Sequence, residues 1–137
     1  MEIVYKEDKV INKEDLIELY TDAGWTKYVS NTDKLLRAFE NSILVISAWE
    51  KDNLVGLVRA VGDGETILYI QDLLINSSAK RKGIGTKLMN MALYKYPDVR
   101  QKVLITDDNP ETNGFYRKVG YKESEKLSIK AFVNFSD

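Results

Sequence analysis

A chain of 137 residues with a formal net charge of −1 fits one domain with a substantial core and has no global attraction for nucleic acid or an anionic membrane. Without a single histidine or cysteine, it excludes Ser-His-Asp and Cys-His catalysis, disulfides and thiolate or histidine-rich metal sites, so proton transfer falls to carboxylates, tyrosines, lysines, water or the substrate. No stretch nears the roughly 18 apolar residues of a membrane span and no signal-peptide core opens the chain, so a cytoplasmic protein with no membrane partner is expected.

Residues 2–6 read as a short strand. Asn12 can cap a helix over 13–22, with Leu16, Ile17, Leu19 and Tyr20 on its buried side. Gly24-Trp25 interrupts that pattern, and a second helix over 33–40 carries Leu35, Leu36 and Phe39. Ile43 to Trp49 and Leu54 to Val61 form a hairpin about the polar turn Lys51-Asp52-Asn53. Gly62-Asp63-Gly64-Glu65 then turns the chain into Ile67–Ile75, apolar and β-branched enough for a largely buried strand.

Lys80-Arg81-Lys82-Gly83-Ile84-Gly85-Thr86 follows, at the mouth of an amphipathic helix over 84–95 with Ile84, Leu88, Met91 and Ala92 on one face. Pro97 breaks that helix, and Lys102 to Thr106 make the next strand. Strand, helix and strand form a right-handed βαβ unit, so these two strands are expected to be parallel. Asn109 can then cap a short helix that opens on Pro110 and ends at Gly120, with Phe115 and Val119 on one face and Tyr116 beside them. The tail from Tyr121 to Phe135 has room for one or two closing strands. Front hairpins with a βαβ unit behind them predict an α/β or α+β sandwich in a single domain, residues 1–137.

Two glycines where a strand meets a helix allow close approach of the backbone. The free N–H groups of the first turn, with basic side chains beside them, suit a phosphate. A tight turn with a solvated basic flank accounts for the same residues equally well. A P-loop does not fit, because Lys87 follows Gly85-Thr86 at the wrong spacing. A dinucleotide fingerprint lacks its third glycine.

The stretch Asn109-Pro110-Glu111-Thr112-Asn113-Gly114-Phe115-Tyr116-Arg117-Lys118-Val119-Gly120-Tyr121 supplies a second motif. With both in place, residues 43–121 resemble the GNAT acetyltransferase superfamily, whose members move an acetyl group from acetyl-CoA to an amine. That family carries Arg/Gln-x-x-Gly-x-Gly/Ala after a buried strand, then an Asn and Phe-Tyr-x-x-x-Gly-Phe/Tyr. The first motif stands here as Lys80-Arg81-Lys82-Gly83-Ile84-Gly85 and the second as Phe115 to Tyr121. Lys80 departs from the usual Arg or Gln but keeps the positive charge, which bears on cofactor affinity more than on activity.

The resemblance implies a mixed, mostly antiparallel sheet flanked by helices, with two parallel strands that splay to admit the pantetheine arm. Backbone groups of Leu73, Leu74 and Ile75 would hold that arm, and one N–H would polarise the thioester carbonyl. The turn Lys80, Arg81, Lys82, Gly83, Ile84, Gly85 and Thr86 would take the pyrophosphate, and Asn109 would contact the pantetheine, a role compatible with plain helix capping. Tyr116 would stand near the sulfur as general acid, with core packing as the other reading of that ring.

A charged residue inside an apolar strand makes Asp72 the candidate to accept the amine's proton; a solvent-facing residue or one paired with Arg59 is the competing reading. The acceptor pocket would draw on Trp25, Tyr28, Trp49, Arg59, Asp63 and Tyr69, although each aromatic ring taken singly reads first as core packing, and Asp22, Asp63 and Asp72 would together attract a cationic amine. The expected function is therefore acetyl-CoA-dependent N-acetyl transfer to a small-molecule or protein amine, with no metal. The alternative is a catalytically silent acyl-CoA-binding sensor or interaction module. Nucleic acid is not expected as a partner, since three basic residues on a net-acidic chain make a small footprint. The exposed edges of a small sheet allow a homodimer.

Overall fold

In the computed structural model, which describes residues 2–136, the chain gathers into two compact units, Met1–Ile105 and Thr106–Asp137. The first unit is a five-stranded sheet with helices on both faces. Its strands are β1 (Val4–Glu7), β2 (Leu44–Glu50), β3 (Asn53–Gly62), β4 (Ile67–Ile75) and β5 (Gln101–Leu104), in the spatial order β1-β2-β3-β4-β5. The first three pairings are antiparallel and β4–β5 is parallel. This is the mixed, mostly antiparallel sheet that the sequence predicts.

Local signals account for the helices. Helix α1 (Lys13–Asp22) starts where the Asn12 side chain accepts the Glu14 N–H, with Glu14 and Asp15 in its first turn. Acidic groups there complement the helix dipole. Leu16, Leu19 and Tyr20 are buried as expected, while Ile17 is only half-buried. A single turn, α2 (Thr26–Val29), follows Trp25; four residues are too few to carry a helical period, and the sequence reading passes over it. Helix α3 (Thr32–Glu40) is capped by Asn31 and buries Leu35 and Phe39.

Helices α1 and α3 cover one face of the sheet, where Leu16, Leu19, Tyr20, Leu35 and Phe39 pack with Val45, Leu57 and Leu74. Helix α4 (Ile84–Lys95) covers the other face. Neighbouring strand residues point to opposite faces, so Gly56 looks toward Ile84 of α4 while Leu57 looks toward α1. Cover on both sides explains why β2 and β3 are almost continuously buried. The buried side of α4 is Ile84, Leu88, Met89 and Ala92, so Met89 takes the place expected of Met91.

The second unit holds helix α5 (Pro110–Lys118), with the Asn109 side chain accepting the Thr112 N–H and Pro110 at the helix start. Gly120 follows at φ +103°, a left-handed value that suits a residue without Cβ at a helix end. Arg117 Nε and Nη2 donate to Oε1 and Oε2 of Glu123 as two parallel hydrogen bonds, and this pairing pulls the carboxyl of Glu123 down to about 2.

The closing strands expected between Tyr121 and Phe135 are not formed among the described residues. Ser124–Leu127 is a 3-10 turn and the rest is irregular, with Ile129, Phe132, Val133 and Phe135 exposed. Apolar and aromatic residues favour a strand only when a partner supplies the other half of the ladder. The edge limits also move: the first strand starts at Val4 rather than residue 2, and β5 ends at Leu104 rather than Thr106.

Candidate active site

Strand β4 outruns its parallel neighbour. Pairing with β5 covers only Ile67 to Ile70, while β4 continues to Ile75. From Gln71 onward, that edge of β4 has no paired partner in the sheet. Within this stretch Leu74 is buried in the core under α1, and Leu73 and Ile75 are half-buried.

Beyond Ile75 a 3-10 turn over Ser77–Ala79 carries the chain to Lys80, Arg81 and Lys82, all exposed. Asp22, at the end of α1, secures this connection by accepting both the N–H and the hydroxyl of Ser77. Arg81 has φ +66° and Gly83 φ +79°. The Gly83 position tolerates a Cβ in space, since nothing lies within 4 Å of one. Its left-handed backbone is what calls for glycine. No side chain caps α4, so the N–H groups of its first turn, from Ile84 through Thr86, face outward with the positive end of the helix dipole behind them. Two left-handed residues lead into a helix start that no side chain caps, and such a start has amide donors available for an anion.

On the face toward α1, the strands β3 and β4 carry a buried polar cluster. Asp72 and Arg59 are cross-strand partners, and Arg59 Nε lies 2.7 Å from Asp72 Oδ2, with the side chains 6% and 0% exposed. The Tyr20 hydroxyl donates to the same oxygen at 2.7 Å, whereas Asp72 Oδ1 is buried without a hydrogen-bond partner. Arg59 also donates to the Ser42 hydroxyl at 3.3 Å and sits over the Phe39 ring. Burial and the neighbouring Asp72 charge push the Tyr20 phenol far up, and the Asp72 carboxylate also raises the Arg59 guanidinium. The aspartate stands in the paired arrangement that the sequence left as one of two readings.

Next to this pair, Gln71 Nε2 donates to the Tyr28 hydroxyl at 3.0 Å. The Tyr28 ring packs edge-on against Tyr20 at 5.4 Å and tilted against Trp25 at 5.7 Å. Trp25 and Tyr28 therefore belong to one aromatic group. Trp49 packs against the same core without stacking on those rings, donating to the Ser47 hydroxyl with Lys6 above its own ring. The three aspartates expected to attract a cation do not form a group. Asp22 is taken up by Ser77, Asp63 accepts the N–H groups of Glu65, Thr66 and Ile67 in its own turn, and Asp72 is sealed against Arg59. Among the described residues, no set of three or more Asp or Glu could hold a metal ion, and no helix is long and apolar enough to cross a membrane.

Asn109 and Tyr116 lie in the second unit. Asn109 Oδ1 serves as the cap of α5. The Tyr116 ring meets Phe115 edge-on at 5.0 Å and Tyr121 at 6.0 Å. Burial raises the Tyr116 phenol, and burial with Tyr116 alongside pushes Tyr121 up to about 12.

A family model described as acetyltransferase (GNAT) domain matches residues 3–137. The chain belongs to the GNAT acetyltransferase family. A GNAT family acetyltransferase from Streptococcus pneumoniae is similar over 98% of both chains, at 30% identity and a TM-score of 0.88. The PaiA N-acetyltransferase from Thermoplasma acidophilum, solved in complex with coenzyme A, has 20% identity and a TM-score of 0.72, covering 90% of this chain and 92% of its own. An aminoglycoside acetyltransferase from an uncultured soil metagenomic sample, in complex with trehalose, has 18% identity and a TM-score of 0.71 over 98% and 95%. These last two likenesses carry the GNAT fold alone. Comparison with curated proteins finds no match.

The raised phenols of this GNAT chain set its behaviour in alkali. The folded state keeps the protons of Tyr20, Tyr116 and Tyr121 at a pH where the unfolded chain has released them. Above about pH 10 the unfolded state therefore binds fewer protons, and stability falls as pH rises. Melting temperature is expected to hold up to about pH 10 and then drop steadily. A melting series across that range checks it, and Tyr20→Phe should soften the fall.

Proposed function

We propose that the protein is an acetyl-CoA-dependent N-acetyltransferase that passes the acetyl group directly to a primary amine of a small molecule or a protein. The open edge of β4 from Gln71 to Ile75 carries this reading. An extended amide-bearing arm can add to such an edge as another strand would, through the backbone groups of Leu73 and Ile75. The residues present fit the cofactor at its other end as well. The amides from Arg81 to Thr86, with Lys80, Arg81 and Lys82 around them, suit a pyrophosphate. That the Thermoplasma relative was solved with coenzyme A supports the same assignment.

Acetyl-CoA, when bound, supplies an acyl group activated as a thioester. The chain supplies position and protons. An N–H of the open β4 edge would serve as the donor that polarises a thioester carbonyl laid along it. Tyr116, assigned by the Phe-Tyr-x-x-x-Gly-Tyr pattern alone, would hold the phenolic proton that a departing thiolate needs. The amine must lose a proton to attack, since an alkylammonium has a pKa of about 10.4. Asp72 could take that proton only through Oδ1, the oxygen that neither Arg59 nor Tyr20 occupies. Trp25 and Tyr28, packed together beside Gln71, offer an aromatic surface for the acceptor.

Acetyl-CoA at a hundred times its Kd is expected to stabilise the fold by about 2.7 kcal/mol, read as a rise in Tm. An unchanged Tm at millimolar acetyl-CoA would sink this reading and the silent-sensor alternative together. Thiol release against polyamines, arylalkylamines, aminosugars and peptide N-termini separates the two. Binding without release on any amine favours the sensor.

A further inference from the structure

We infer that the Arg59–Asp72 ion pair and the Tyr28–Gln71 hydrogen bond together lock the β-bulge of β4 at Gln71. They thereby set which backbone groups of Asp72 to Ile75 reach the open edge. In this scheme Asp72 is a positioning residue.

The ladder between β3 and β4 runs Gly56↔Ile75, Leu57↔Leu74, Val58↔Leu73 and Arg59↔Asp72, then resumes at Ala60↔Ile70. Gln71 is the extra residue of β4. Every other pair near the break is apolar, so shifting the bulge along the strand exchanges one aliphatic contact for another. Apolar packing alone leaves its place weakly specified.

The polar residues remove that freedom in both directions. If the bulge moved toward Ile75, the upstream register would continue as Arg59↔Gln71 and Val58↔Asp72. Asp72 would then share the face of Val58, opposite to Arg59 and Tyr20, as a buried carboxylate with no partner. If it moved toward Ile67, Gln71 would come opposite Ala60. Its amide would leave the α1 face and the Tyr28 hydroxyl for the apolar side under α4. One interaction blocks each slip. A buried ion pair seldom adds net stability, and setting a register is the best-attested use of one.

Tyr20 and Tyr28 come from α1 and α2, so the N-terminal helices hold the bulge from outside the sheet. The consequence for turnover rests on the proposed acetyl transfer along the β4 edge; the lock itself does not.

The test is amide hydrogen exchange at Gln71, Asp72 and Leu73 in the whole chain, together with acetyl-CoA turnover. Arg59→Met/Asp72→Leu removes the ion pair as a unit, and Tyr28→Phe removes only the other bracket. Exchange at the three amides is expected to rise about tenfold or more in the double variant and less in Tyr28→Phe, with β2 amides unchanged. Turnover should fall in parallel. Tyr28→Phe leaves the ion pair in place, so it reports even where the double variant does not fold. Native exchange at these amides in either variant overturns the lock. So does an Arg59→Met variant with native exchange and full turnover beside a dead Asp72→Asn, because that pattern makes Asp72 the proton acceptor. If the wild type turns over no amine, the proposed activity fails, while the exchange data still decide the lock.

Discussion

Replacing Tyr116 with phenylalanine is expected to lower kcat by about 10²–10⁴-fold, the usual contribution of a positioned general acid, while the Tm shift given by acetyl-CoA stays as in the wild type. The substitution removes one hydroxyl and keeps the ring that packs against Phe115 and Tyr121, so the second unit keeps its aromatic contacts. Burial raises the phenol above its ordinary value, so the acid stays protonated through the neutral range. The alkaline fall in kcat that reports its loss should therefore lie above about pH 10 and be absent from the phenylalanine variant. An effect on kcat with cofactor binding intact marks a group that acts in the transition state. A kcat within about threefold of wild type, well short of the general-acid range, would take Tyr116 out of the mechanism.

Removing the buried carboxylate of the sheet should act on stability. Asp72→Ala is expected to destabilise the fold by about 3–5 kcal/mol, because it leaves the Arg59 guanidinium buried without a counter-charge and the Tyr20 hydroxyl without its acceptor. For a chain of this size that is a fall in Tm of roughly 10–20 °C, and urea unfolding measures it directly. Arg59→Met/Asp72→Leu should recover most of the loss, since removing such a pair as a unit is often neutral. A single-variant loss below about 1 kcal/mol would mean that water reaches the cluster, contrary to the sealed geometry.

Several elements were legible because their signals are local. Helix α1 occupies the predicted 13–22, and α4 the predicted 84–95. In α1 an asparagine cap and a period of apolar residues lie within one short window. In α4 the same period runs between the glycine turn and Pro97. Asn109 caps α5 for the same reason. The tail was misread on equally local grounds. Ile129, Phe132, Val133 and Phe135 have strand propensity, yet a strand exists only with a partner, and no local pattern specifies one. Tyr20 and Gln71 escaped notice as polar contacts. One reads as an ordinary member of an apolar helix face and the other as a plain strand residue, and their partners stand far away in sequence.

Composition and spacing by themselves determined the acid–base repertoire, the βαβ unit, the glycine turn and the family motifs, because each depends on residue types held within a few positions of one another. Tertiary structure alone decided what becomes of Asp72. Its pairing with Arg59 needs antiparallel strands in one particular register, a bulge one residue away and a tyrosine from α1. The chain brings these together only by folding, because the free energy of a buried charge depends on what surrounds it in space.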